Sequence, residues 1–319
     1  MNIIITPIVY LLLFGLLLFF GMAMLSPFET REWWKLSALE KGKQPPTWKK
    51  EDNDSSMYII YLTAIGGVSA DEISSRERQF LAGVEEQLQT AVFIDDVFPF
   101  SVSNNALTGE RLFAKIWRYI HAARRKGSAT GVFLSSLIFA RNLFQVGVSG
   151  DPRYGPIYNV GVAKELIRSL LEHGYPPNSG KPIVVMGWSG GGQIAIGVVR
   201  YLSEGLNAPV SVMSIGGVMA ADPSIAYVDK LYHLQGSRDK FPNLGEILYP
   251  GRWPFLKKTE WSKAKEDGRF ITVVPGPMRH TGKEDYFDHH TTLPNGQTYL
   301  ERTTEAVADL LKMNFQNEQ

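Results

Sequence analysis

The sequence predicts an α/β fold, a mostly parallel, doubly wound sheet, preceded by one N-terminal transmembrane helix. Three observations lead there. Short apolar runs rich in Val and Ile alternate with helix-length segments along residues 57–319. Those runs are apolar nearly throughout instead of alternating in polarity, as expected of strands covered on both faces. Finally, Ile3 to Leu25 carries no charged residue and, at about 1.5 Å per residue, is long enough to span roughly 30 Å of hydrocarbon.

The N-terminal run reads as a retained anchor, residues 1–25. Gly21 and Ala23 would also suit a cleaved signal peptide, but no Lys or Arg precedes the run and it is longer than a usual signal core. Arg31, Lys35, Lys41, Lys43, Lys49 and Lys50 all follow it, which favours a single-pass membrane protein with its C-terminal domain on the cytoplasmic face. Residues 26–56, polar and containing KGKQPPTWKKEDNDSS, read as a tether.

Residues 57–63 (MYIIYLT) form the first expected strand, ended by Gly66 and Gly67. Ser69 and Glu72 then have the spacing of a capping box opening a helix that carries Ile73, Phe80, Leu81, Val84 and Leu88. A strand at 91–98 and a basic helix at 110–125 follow. Residues 128–157 interrupt the alternation: SATGVFLSSLIFA is apolar but too short to span a bilayer, and RNLFQVGVSGDPRYGP reads as a loop. This segment is expected to be a core or cap-like helix, or a second membrane-contacting surface. A helix at 158–173, strands at 182–187, 209–219, 230–235 and 270–275, and a final helix at about 298–313 complete the chain.

Composition narrows the chemistry. A net charge of +1 gives no electrostatic case for nucleic acid. With no cysteine, disulfides, a cysteine nucleophile and Cys-ligated metal sites are excluded. Gly187-Trp188-Ser189-Gly190-Gly191 matches G-x-S-x-G, directly after the apolar run IVVM and directly before the apolar helix QIAIGVVRYL. That strand–turn–helix setting is what an exposed nucleophilic serine requires, the glycines relieving a strained turn and the helix N-terminus favouring developing negative charge. The same glycines lack the Lys-Ser/Thr pair of a phosphate-binding loop.

A serine hydroxyl needs a base, and the base needs an acid to orient it. Of the six histidines, His121, His173 and His233 fall inside or at the ends of regular elements and read as structural. His280, in VVPGPMRHTG, lies just beyond the last strand; His289 and His290 are further out, and as a metal pair they lack a carboxylate cluster at metal spacing. Asp239, in a Gly-Ser-Arg-Asp turn after a strand, is the expected acid, Asp222 the runner-up; Asp239 would otherwise serve an Asx turn or a helix cap.

GWSGGG, the post-strand GSRD and the terminal PGPMRHTG occur in the order nucleophile, acid, histidine, and over roughly residues 57–315 the chain resembles the α/β-hydrolase superfamily. The resemblance implies Ser189 as nucleophile, His280 as general acid/base and Asp239 as its orienting acid. It also implies an oxyanion hole from the backbone N–H of Gly190 and a second N–H from Ile65, Gly66 or Gly67, although AIGG departs from the common HGGG form of that loop. The expected function is therefore a membrane-anchored serine hydrolase acting on an ester or thioester, with a lipid-like acyl substrate favoured and no cofactor or metal. A catalytically idle, membrane-bound binding or assembly module, or an amidase or peptidase on the same fold, are the alternatives.

Overall fold

The computed structural model describes residues 54–104, 106–107, 114–126 and 129–316, with Leu17 and Gly21. The predicted anchor, apart from those two positions, and nearly all of the tether lie outside the described residues. Among the described residues no helix is long and apolar enough to cross a membrane.

Among the described residues six strands form one sheet, in the order β2-β1-β3-β4-β5-β6. They are β1 (Met57–Leu62), β2 (Ala91–Ile94), β3 (Ile183–Trp188), β4 (Val210–Ile215), β5 (Leu231–Leu234) and β6 (Phe270–Val273), and every neighbouring pair is parallel. Eight helices are described: α1 (Ser75–Gln87), α2 (Ala114–Arg125), α3 (Ala129–Gly150), α4 (Gly155–Glu172), α5 (Gly190–Leu206), α6 (Leu244–Leu248), α7 (Glu260–Glu266) and α8 (Tyr299–Gln316).

The strands bury side chains on both faces, which is why polarity does not alternate along them. Tyr58, Ile60 and Leu62 pack with Val162, Leu166, Ile194, Val198 and Trp261 on one face. The intervening Met57, Ile59 and Tyr61 pack with Phe80, Val84, Val307 and Leu311 on the other. The chain runs from β1 outward to β2 and returns to β3 on the opposite side of β1. The carboxyl ends of β1 and β3 therefore flank the point where the winding reverses, where the crevice of an open parallel sheet lies.

Several elements differ from expectation. The capping box is at Ser74 and Glu77, not Ser69 and Glu72: Ser74 Oγ accepts from the Glu77 N–H at 3.3 Å, and Glu77 Oε2 accepts from the Ser74 N–H at 3.2 Å. Ser69 makes no side-chain cap. The other Glu77 oxygen accepts the hydroxyls of Tyr61 at 2.8 Å and Thr63 at 2.6 Å, so a buried carboxylate ties α1 to the end of β1. The strand expected at 209–219 ends at Ile215, because Gly216 turns the chain at φ 56°.

The largest difference is α3. The stretch RNLFQVGVSG, expected as a loop, continues the apolar helix as far as Gly150. Its polar side chains are not solvent-facing breaks. Arg141 and Asn142 are 3% and 0% exposed and are spent on backbone carbonyls of neighbouring loops, Arg141 Nη1 on Phe100 O and Asn142 Nδ2 on Ile65 O and Gly67 O.

Candidate active site

β3 delivers its chain to Ser189 through a turn that only this packing tolerates. Ser189 has φ 53° and ψ −117°, a conformation that costs a non-glycine residue about 1–3 kcal/mol. Its N–H donates to Ile215 O at 2.9 Å, holding the turn against β4, and α5 begins at the next residue. The flanking glycines are steric necessities. A Cβ on Gly187 would strike the backbone of Gly191, and one on Gly191 would strike Leu62 O and lie 2.8 Å from Thr63 O. The first turn of α5 thus rests directly on the carboxyl ends of β1 and β3.

The turn brings three expected side chains into one chain of contacts. Ser189 Oγ lies 2.9 Å from His280 Nε2, and His280 Nδ1 lies 2.9 Å from Asp239 Oδ2. Asp239 is 2% exposed, while Ser189 and His280 are 9% and 8% exposed, so the relay is sheltered at its acid end and open only narrowly at the hydroxyl. An imidazole held between a carboxylate and a hydroxyl can take the hydroxyl proton while the carboxylate stabilises the resulting imidazolium.

The acid is itself fully bonded. Asp239 Oδ1 accepts the Phe241 N–H at 2.9 Å, and Oδ2 accepts the Tyr286 hydroxyl at 2.8 Å in addition to facing His280. Burial, and secondarily the Asp239 charge, push the Tyr286 hydroxyl far above its ordinary titration range, so it remains a donor. Tyr286 also accepts the Gly236 N–H at 2.8 Å, which fixes the turn carrying Asp239. Glu284 Oε2 receives both Arg238 at 3.1 Å and Arg279 at 3.2 Å, pairing the residue before Asp239 with the residue before His280. Phe241, 51% exposed, stacks its ring on that of His280 at 4.4 Å and 19°. Sequence reasoning missed Tyr286, Glu284 and Phe241; none lies in a motif, and only their placement in the post-strand loops hints at them.

The other candidates lie elsewhere. Asp222 caps the short 3-10 turn Pro223–Tyr227, accepting from the Ser224 N–H at 2.8 Å, and burial holds its carboxyl above the ordinary range. His121 pairs with Glu72 at 2.7 Å, and His173 Nδ1 lies 2.9 Å from Ser169 O at the end of α4. His233 is buried beside Ser214 Oγ at 3.2 Å. The His289 and His290 rings lie side by side, centroids 3.9 Å apart and planes tilted by 45°, and among the described residues no group of three or more potential metal-ligating side chains occurs.

At the expected oxyanion positions, Gly190 opens α5, where its N–H has no partner within the helix. A Cβ there would come 2.9 Å from Val146 and closer still to Ile65, so all three meet at one point. Gly67 is a poor second donor because its N–H already bonds Ala64 O at 3.2 Å. Among the described residues, the N–H groups of Ile65 and Gly66 enter no such backbone turn.

No protein-family model and no curated protein matches the chain. Among solved structures it is similar to a C6-C4 SN3 inhibited esterase B from Lactobacillus rhamnosis, with 14% identity and a TM-score of 0.33, covering 92% of this chain and 99% of that one. A second structure of that esterase, inhibited by a C4-C4 SN3 tributyrin phosphonate, gives 13% identity and a TM-score of 0.32 over 92% and 98%. Likeness this weak bears no weight for what the chain does.

Proposed function

We propose that the chain is a serine hydrolase that cleaves an ester or thioester through an acyl-enzyme. The observation that carries this is the unbroken relay from Ser189 Oγ to His280 to Asp239, 2.9 Å at each step, on a strained turn at a helix N-terminus. In the first half-reaction His280 Nε2 takes the Ser189 proton as Oγ bonds to the acyl carbon. The carbonyl oxygen becomes an oxyanion held by the Gly190 N–H and by that of Ile65 or Gly66. The bond to the leaving group then breaks as His280 returns the proton to it. In the second, His280 deprotonates a water that attacks the acyl-enzyme, and the proton returns to Ser189 as the acid leaves. Asp239, facing His280 Nδ1, steadies the imidazolium in both halves.

A lipid-like acyl group suits the surroundings. Phe241 over His280 begins a segment whose Leu244, Ile247, Leu248 and Phe255 are all exposed, and Ile65 and Val146 crowd Gly190 from the other side. The uncharged run from Ile3 to Leu25, followed closely by Arg31, Lys35, Lys41 and Lys43, supports a membrane-anchored enzyme whose domain faces the cytoplasm. Protease accessibility in sealed vesicles tests that orientation.

The test of the reaction is hydrolysis of p-nitrophenyl esters of graded chain length by wild type and Ser189→Ala. Turnover rising with chain length, and falling by about a thousandfold or more in the variant, is expected. Equal turnover in both, or none by wild type on any ester or thioester, contradicts the proposal.

A further inference from the structure

We infer that Asn142, assisted by Arg124, is a positioning residue that holds the backbone loop Ile65–Gly67 in the shape needed to receive an oxyanion. The inference rests on the serine-hydrolase reading of Ser189 and extends it to residues outside the relay.

Asn142 lies in α3, within a helix where asparagine is a weak former, and it is fully buried, where an unbonded amide would be costly. Both hydrogens of its amide nitrogen are spent on the loop: Nδ2 donates to Ile65 O at 2.8 Å and to Gly67 O at 2.8 Å. Its oxygen accepts from Arg141 Nη1 at 2.9 Å, and the same Nη1 donates to Phe100 O. The orientation of the amide is thereby assigned, since a flipped amide would set its oxygen against two carbonyls and its NH₂ against a guanidinium. From α2, Arg124 Nη1 donates to Gly66 O at 2.8 Å, so all three consecutive carbonyls are held by side chains of the α2–α3 pair.

These bonds matter because a trans peptide points its C=O and the following N–H in opposite directions. Fixing Ile65 O fixes the line of the Gly66 N–H. The Gly67 N–H bond to Ala64 O fixes that of the Ile65 N–H in the same way. Two of the loop's three residues are glycine, with little intrinsic conformational preference, so its shape depends on these bonds. Val146, one turn beyond Asn142 on α3, packs at the Gly190 position, so one helix braces both halves of the proposed oxyanion hole.

The test compares wild type, Asn142→Asp, Asn142→Ala and Arg124→Met on p-nitrophenyl butyrate. It adds inhibition by the corresponding alkyl trifluoromethyl ketone, whose adduct with Ser189 carries an oxyanion, and melting temperature. Asn142→Asp keeps shape but loses both donors; kcat is expected to fall about 10–100-fold with KM within about twofold, and ketone affinity to fall in step with kcat. Arg124→Met, at an exposed position, is expected to lower kcat several-fold with the same pattern and decides the matter if the Asn142 variants do not fold. Unchanged kcat in folded variants, or a fall in kcat with ketone affinity unmoved, overturns the inference. Wild type that hydrolyses no ester instead removes the reading of Ser189, a distinguishable failure.

Discussion

Tyr286 donates its hydroxyl to the same Asp239 oxygen that faces His280, at 2.8 Å against 2.9 Å for the imidazole nitrogen. One carboxylate oxygen thus carries both the orienting contact and a tyrosine held protonated by burial. Tyr286→Phe removes that donor and leaves the buried Gly236 N–H without its acceptor. Unfolding free energy is expected to fall by about 1–3 kcal/mol and kcat by about tenfold, with KM little changed. Denaturant melts and ester kinetics check both; wild-type values for the two would show the hydroxyl to be dispensable.

The two candidate acids separate cleanly. Asp239→Asn presents a neutral group to His280 Nδ1 and is expected to lower kcat about 10³–10⁴-fold. Asp222→Asn keeps a competent cap for the Pro223–Tyr227 turn and is expected to stay within about threefold of wild type. Kinetics on one soluble ester compare them directly, and the reverse ranking would transfer the acid's role to Asp222.

Gly187 and Gly191 are expected to be intolerant of alanine. Each added methyl meets backbone where α5 rests on β1 and β3, and backbone has nowhere to retreat. Overpacking of this kind costs about 1–3 kcal/mol, and here it also displaces Ser189. Gly147, with open space around its Cβ position, is the control. Circular dichroism melts of Gly191→Ala and Gly147→Ala should differ by several degrees.

Acid sensitivity should depend on His233. Burial, and then the Arg252 charge, lower its pKa from 6.5 to about 3. Between those values the unfolded chain binds more protons than the folded one, so stability rises with pH through that window. The contribution is complete above about pH 6.5 and is lost as pH falls toward about 3, at up to about 1.4 kcal/mol per pH unit. His233→Gln is expected to flatten this limb in urea melts between pH 4 and 7, and an unchanged slope would exclude His233 as its source.

The strands and the relay were legible in the sequence because each rests on a local pattern. IVVMGWSGGG states strand, turn and helix in ten residues, and Asp239 and His280 follow strands β5 and β6. What was hidden depends on distant partners. The polar pair Arg141–Asn142 resembles the end of an apolar helix until Ile65, Gly67 and Phe100 are seen to supply its acceptors. Ser69–Glu72 and Ser74–Glu77 have identical capping spacing, and what tells them apart is the docking of Glu77 against Tyr61 and Thr63. Tyr286 and Glu284 act by closing the space between two loops, a relation that carries no sequence signature.

The central claim, that Ser189 is a nucleophile activated by His280, is tested most directly by stoichiometric reaction with a fluorophosphonate, read by intact mass and by peptide mapping. Wild type is expected to gain one phosphonyl group on Ser189 and lose esterase activity in step, Ser189→Ala to gain none, and His280→Ala to react at least a hundredfold more slowly, about the size expected when a general base is removed. Equal labelling of all three proteins, or labelling at another residue with Ser189 untouched, would contradict the account.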